Sequence, residues 1–322
     1  MLHAPGFWWR DGPLAWLLSP FSVITRVVTE RRVARPGLHA SVPVICCGNV
    51  TVGGAGKTTL AIELAQRLVA HGRSVHVLLR GYGGSASGVH RVVPDDSAAE
   101  VGDEAILLAA VAPTWTGADR GESAQAALAE GADVLLMDDG LQNPTLWKDL
   151  SLLVIDGATG FGNGRLLPAG PLREPVAAAA ARCQAAVLIG DDATGALQGL
   201  PACMPVLRAR LVQDSAILPL RGRRVLAFTG IARPGKFFTP LADAGVLVVE
   251  EVSFPDHHPF SRPEIERLLD RAADLDAVPV TTPKDAVRLP PDLRADVTVV
   301  GVGLVWEDEG ALDALLHQYG IG

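Results

Sequence analysis

Cysteine is scarce in this chain: Cys46, Cys47, Cys183 and Cys203 are the only four in 322 residues, and they have no metal-ligand spacing. They read as core thiols of a reducing compartment, which excludes a disulfide-stapled secreted scaffold. Positive charge is in deficit as well, with 28 Lys and Arg against 36 Asp and Glu and a formal net charge of -8. That balance argues against a general nucleic-acid binder. No uninterrupted apolar run reaches about twenty residues, so no transmembrane helix is expected. The amino end lacks the basic start and small-residue cleavage site of a secretory signal. There is no internal repeat, and the alanines at 177–181 are the only low-complexity tract. What remains is the composition of a folded globular protein, long enough for two domains that each bury a core.

Residues 1–40 stand apart. Phe7-Trp8-Trp9 opens an apolar-rich stretch that continues through Leu14, Trp16, Leu17, Phe21, Ile24 and Val28. It is broken by Pro13 and Pro20 and followed by Arg26, Arg31, Arg32 and Arg35. Aromatics on an apolar face beside a basic cluster suit a segment lying in a bilayer interface near anionic headgroups. A helix packed on the protein itself has the same periodicity, so the pattern leaves both burials open.

The chain is organised around Gly48-Asn49-Val50-Thr51-Val52-Gly53-Gly54-Ala55-Gly56-Lys57-Thr58-Thr59. An apolar run ending at Cys47 precedes it and a helical pattern from Leu60 follows, which predicts strand, glycine turn, helix. Such a turn aims backbone N–H groups and the positive helix end at an anion. Lys57 can then reach the terminal phosphates of a nucleotide and Thr58 can ligate magnesium. A strict phosphate loop has a further glycine five residues before Gly56, where this chain has Thr51.

Ser74 to Leu79 predicts the next buried strand, running into Arg80-Gly81-Tyr82-Gly83-Gly84 at the crevice edge of a doubly wound sheet. Gly102-Asp103-Glu104 opens a helix, and two carboxylates there are ordinarily a cap with a favourable dipole interaction. Asp119-Arg120 opens another. The strand ending in Asp138-Asp139-Gly140-Leu141-Gln142 has the form that holds magnesium opposite a phosphate-loop threonine. Residues 161–174 are too rich in glycine and proline for a helix or central strand and predict a long ordered loop. A second strand-turn-helix series begins near Arg224. Within it, Asp256-His257-His258 lacks zinc spacing, but a loop histidine beside an aspartate can orient a general base.

Taken together these motifs resemble the tetraacyldisaccharide 4'-kinases, the lipid A kinases of Gram-negative bacteria. The resemblance rests on residues 48–58, Arg80-Gly81-Tyr82-Gly83-Gly84, Gly102-Asp103-Glu104, Asp119-Arg120, Asp138-Asp139-Gly140-Leu141-Gln142, Phe161-Gly162-Asn163-Gly164, residues 167–174, Asp256-His257 and Lys284-Asp285-Ala286, in the family's order. It implies transfer of the ATP γ-phosphoryl group to the 4'-hydroxyl of an acylated glucosamine disaccharide 1-phosphate, at the cytoplasmic face of the inner membrane. It further implies ATP on Asn49, Thr51, Gly53, Gly54, Ala55, Gly56, Lys57, Thr58 and Thr59, and Mg2+ on Thr58, Asp138, Asp139 and Glu104. Asp103 would be the general base with His257 as its partner. Arg80, Arg120 and Arg173 would meet the acceptor phosphate or the transferring group, and Lys284-Asp285 would act in nucleotide-base recognition. Thr59 departs from a common proline, and Asn143 from a common histidine, so Asn143 receives no catalytic role.

The expected fold is α/β, a phosphate-loop NTPase-like, mostly parallel sheet flanked by helices. A membrane-interface segment (1–40), a kinase core (41–215) and a smaller α/β lobe (216–322) are expected, with the site between lobes whose closure assembles Asp103 and His257. No protein partner is identifiable. Two other readings share the loop. A membrane-associated switch ATPase would carry a signature lysine where this chain has Val52, and a soluble carboxylate synthetase would leave the amino-terminal aromatics unexplained.

Overall fold

The computed structural model describes residues 5–321; residues 1–4 of the expected amino-terminal segment and residue 322 of the expected second lobe lie outside the described residues. In chain order the strands are β1 (Val44–Gly48), β2 (Val75–Leu79), β3 (His90–Arg91), β4 (Thr114–Thr116), β5 (Val134–Asp138), β6 (Leu150–Asp156) and β7 (Ala185–Ile189). They continue as β8 (Val206–Gln213), β9 (Arg224–Thr229), β10 (Leu247–Ser253), β11 (Val278–Thr281), β12 (Thr298–Val299) and β13 (Val302–Trp306). Nine of them form one sheet in the order β13-β8-β7-β6-β1-β5-β2-β4-β3, and four form a second, β10-β9-β11-β12. The large sheet is parallel from β8 to β4, with antiparallel strands at both edges. The small sheet is parallel throughout.

Strands β1, β2, β5, β6 and β7 are buried at every position, because helices cover both faces of a parallel sheet. Their unbroken apolar runs follow from that geometry. The helix Lys57–Ala70 turns Leu60, Ala61, Leu64, Ala65 and Leu68 onto one face, at the spacing an amphipathic helix requires. Cys46, Leu135, Met137 and Leu153 fill the opposite face. Cys46 and Cys47 are buried core thiols, and burial pushes the Cys46 thiol up to about 11. Cys183 is half-buried and Cys203 exposed, so the expectation of four core thiols holds for two.

The far end of the 216–322 assignment needs correction. After β12 the chain leaves the small sheet, and β13 pairs antiparallel with β8. Leu304, Trp306, Leu312, Leu316 and Ile321 then join the apolar cluster beneath the phosphate-loop helix. An unpaired β8 would present a row of free backbone donors and acceptors, and β13 satisfies them. Its pairing partner lies too far away in sequence for local pattern to identify.

At the amino end, helices Pro13–Leu18 and Ser22–Val33 flank a turn containing Pro20. Their polar side is tied to the 161–174 loop. Ser22 and Thr25 donate to the carbonyls of Leu166 and Leu167 at 2.8 Å, Thr29 donates to that of Arg173, and Arg165 pairs with Asp11 beneath Trp16. The apolar side faces outward: Trp16 is 63% exposed, Leu17 70% and Ile24 64%. No helix of the described residues is long and apolar enough to cross a membrane.

Candidate active site

β1 lies at the centre of the large sheet between β5 and β6, and the loop leaving its carboxyl end turns directly into the helix that begins at Lys57. Positive φ falls on Gly53 (115°) and on Gly56 (90°), where a Cβ would lie 2.6 Å from Ile189. Only glycine adopts such a turn at low cost. Thr51 instead bridges Leu172, while Val52 N–H donates to Pro171 and Arg173 N–H to Val50. The first half of the loop is therefore extended and zipped to the 161–174 loop. This explains how threonine replaces the glycine of the strict motif: backbone pairing, not a left-handed turn, shapes that position.

Lys57 Nζ donates to Asn49 Oδ1 at 3.1 Å and lies 3.7 Å from Asp139. Thr58 Oγ1 donates to Asp138 Oδ2 at 2.9 Å, whereas Asp138 Oδ1 is buried without a hydrogen-bond partner. Burial, with Glu104 adding to it, pushes the Asp138 carboxyl up to about 7. An orphaned carboxylate oxygen beside a threonine hydroxyl is a donor set that fits a hard divalent cation.

Asp139, at φ 52°, faces elsewhere. Arg173 Nη1 donates to both of its oxygens, at 2.9 and 3.0 Å. Burial alone would raise Asp139, but Lys57 and Arg173 outweigh it and hold the carboxyl below its ordinary value. Glu104 lies 3.4 Å from Lys284. Of the four expected metal ligands, the structure thus joins Thr58 with Asp138 and pairs Asp139 and Glu104 with cations. Among the described residues no cluster of three or more His, Cys, Asp or Glu forms a metal cage. A magnesium ion here would complete its shell with phosphate oxygens and water, as that ion commonly does.

Asp103 begins the helix Asp103–Ala109 behind Gly102, whose φ of 89° sets the entry angle. Across the lobe boundary His257, at φ 58°, puts Nδ1 2.8 Å from Asp103 Oδ2. The two lobes meet at this pair in the structure as it stands. Arg120 is buried, donates to the Gly117 carbonyl and keeps an unpartnered Nε; burial lowers it to about 10. Arg80 is exposed at the end of β2. Asn143 accepts from the backbone and hydroxyl of Thr145, a turn-forming task.

Lys284-Asp285 does not have the surroundings of a base-recognition element. Asp285 is fully buried, and its two oxygens accept from Thr229, Gly230, Thr282 and Arg288. Those partners occupy the carboxylate's acceptor sites, so none is left for a nucleotide.

Three basic residues, Arg233, Lys236 and Arg288, are not marked by any motif in the sequence. Arg233 reaches over from the second lobe to the Gly54 carbonyl at 2.8 Å and to Asp156 Oδ2 at 2.7 Å, which Lys236 also meets at 2.7 Å. Asp156 ends β6 as Asp138 ends β5, the one signal available in sequence. Arg288 is the third.

A glycine turn on a central parallel strand, a lysine and threonine at its helix start, and a carboxylate-histidine pair across the lobe boundary define a phosphate-loop phosphotransferase. The family model for tetraacyldisaccharide-1-P 4'-kinase, LpxK, matches residues 14–320. The chain belongs to that family. It is 54% identical over 322 residues to the tetraacyldisaccharide 4'-kinase of Gluconacetobacter diazotrophicus, covering 99% of this chain and 98% of the relative. To that of Gluconobacter oxydans it is 51% identical over 315 residues, covering 97% and 96%. The solved structure of LpxK from Aquifex aeolicus in complex with ATP superposes with a TM-score of 0.76 at 28% identity, covering 95% of this chain and 99% of that one.

Proposed function

We propose that the protein transfers the γ-phosphoryl group of ATP to the 4'-hydroxyl of a tetraacylated glucosamine disaccharide 1-phosphate. The observation that carries the reading is Asp103 bonded to His257 across the lobes, with Thr58 of the phosphate loop bonded to the buried Asp138. Asp103 accepts the proton of the acceptor hydroxyl, and His257, bonded through Nδ1, holds the carboxylate in place. Lys57 supplies positive charge to the β- and γ-phosphates, and backbone N–H groups at 53–58 cradle them. Arg173 and Arg120 present planar donors toward the same carboxylate-rich region and stabilise charge on the transferring group or the acceptor phosphate. Thr58 and Asp138 would hold Mg2+, which supplies charge neutralisation to the phosphates.

Labelled ATP and detergent-dispersed tetraacyldisaccharide 1-phosphate test this directly. Label should pass to the lipid only when acceptor is present, and EDTA should abolish transfer. ATP turnover without labelled lipid, from folded enzyme and intact acceptor, would favour a switch ATPase.

An acylated acceptor resides in a bilayer, and the outward apolar side of residues 13–28 supports docking at the cytoplasmic face of the inner membrane. Replacing Trp16 and Ile24 together by glutamate, at positions already solvent-exposed, should leave the fold intact and cut cosedimentation with anionic vesicles by about tenfold or more. Undiminished binding would refute the docking face.

A further inference from the structure

Arg288 has no part in the reaction outlined above, yet its side chain is only 5% exposed. It follows the short helix Pro283–Ala286 that leaves β11, and each of its guanidinium nitrogens has a partner. Nε donates to the Lys284 carbonyl and lies 3.3 Å from Asp103 Oδ2. Nη1 donates to the His258 carbonyl at 2.9 Å. Nη2 donates to Asp285 Oδ1 at 2.7 Å and to the Gly230 carbonyl at 3.3 Å. The ring of Phe260 lies beneath, 5.6 Å away.

These partners surround the carboxylate-histidine pair. Asp103 is its first-lobe half, His258 is the chain neighbour of its second-lobe half, and the Gly230 carbonyl also accepts the backbone N–H of His257 at 3.1 Å. His257 occupies a left-handed conformation that a non-glycine residue keeps only where its surroundings over-determine it. Arg288 supplies part of those surroundings. Both His257 Nδ1 and Arg288 Nε address Asp103 Oδ2, which fixes the rotation of the carboxylate and therefore the direction of Oδ1.

We propose that Arg288 is a positioning residue for phosphoryl transfer, joining Asp103 of the first lobe to the His257 backbone of the second in one rigid frame. The inference rests on the assignment of Asp103 as the base. Arginine suits the task because its fork sends donors in fixed directions to Asp285 and His258 while its charge stays in an ion pair with Asp103; the point charge of lysine can serve one carboxylate but not the set. A misplacement of about 1 Å in a reacting group costs about 100-fold in rate. The role therefore belongs in kcat, not in nucleotide affinity.

The test is Arg288→Lys in the full-length enzyme, alone and combined with Asp103→Asn. Alone it should lower kcat by about 10- to 100-fold, with KM for ATP changed less than about twofold. In the Asp103→Asn background the same change should cost less than about threefold, because a residue that acts through Asp103 has nothing left to position. Unchanged kcat, a loss carried by KM, or full multiplication of the two effects would overturn the inference. If Arg288→Lys fails to fold, as read by its circular dichroism and thermal melting, Phe260→Leu decides: it removes the ring beneath the guanidinium and should lower kcat alone, and unchanged kcat refutes the role. Should Asp103→Asn itself retain full activity, the base assignment falls and this inference with it. Should only the Arg288 and Phe260 variants be silent, the inference falls alone.

Discussion

Replacing Asp103 with asparagine should lower kcat by about 10^2- to 10^4-fold, the range a positioned general base supplies, while KM for ATP stays within about twofold. Asparagine keeps the shape of the side chain and an oxygen that can accept from a neighbour, but it cannot take the acceptor proton. The split between kcat and KM follows from position. Asp103 stands at a helix start facing His257, whereas the proposed nucleotide contacts belong to the loop after β1. The substitution also replaces a charge beside Arg288, whose remaining ion pair with Asp285 is unchanged. Stability should therefore fall without loss of the fold. Steady-state kinetics with equilibrium ATP binding on the same preparation measure both halves. An unaltered kcat, or a loss carried by ATP affinity, would remove Asp103 from the chemistry.

Lys57→Ala should be comparably severe, by a different route. Removing one preorganised donor from a site of developing charge costs about 10^2- to 10^3-fold in kcat, and the lost contact to bound phosphate should weaken ATP binding as well. Lys57 is almost fully buried between Asn49 Oδ1 and Asp139. Asp139 keeps its two bonds from Arg173 when the lysine is gone, so the network around the loop should survive. A thermal midpoint near that of the parent, together with a collapse of kcat/KM, is the expected result. Activity within tenfold of the parent would show that the phosphates are held mainly by backbone donors and arginines.

Much of the candidate site was legible because each of its parts is local. Gly53 to Thr58 are consecutive, and the turn they make depends on φ angles that only glycine adopts freely. Asp138 ends an apolar strand, and Asp103 opens a helix behind a glycine. What each carboxylate faces was not legible. Asp138 and Asp139 are adjacent and chemically identical, yet one turns to Thr58 and the other to Arg173 and Lys57. The left-handed φ at Asp139 makes that separation, and no residue pattern announces it. Lys284-Asp285 had the form of a strand-end recognition element, but burial on all sides commits Asp285 to the inside of the second lobe.

The amino-terminal segment is a further case. Its periodicity permitted either an interfacial helix or one packed on the protein. The structure gives its polar side to the 161–174 loop and leaves its large apolar residues outward.

The amino-acid sequence by itself determined the α/β class, the phosphate loop and the carboxylates at strand ends and helix starts, because hydrophobic period and glycine placement act over a few residues. Only the tertiary structure decided that β13 and the final helix return to the first lobe, that His257 and Arg288 converge on Asp103, and that Arg233 and Lys236 reach Asp156 beside the phosphate loop. Each of these joins segments far apart in the chain. Such contacts form where folded surfaces meet, through charge pairing and the need to satisfy buried polar groups, and those requirements act in space and leave no period along the chain.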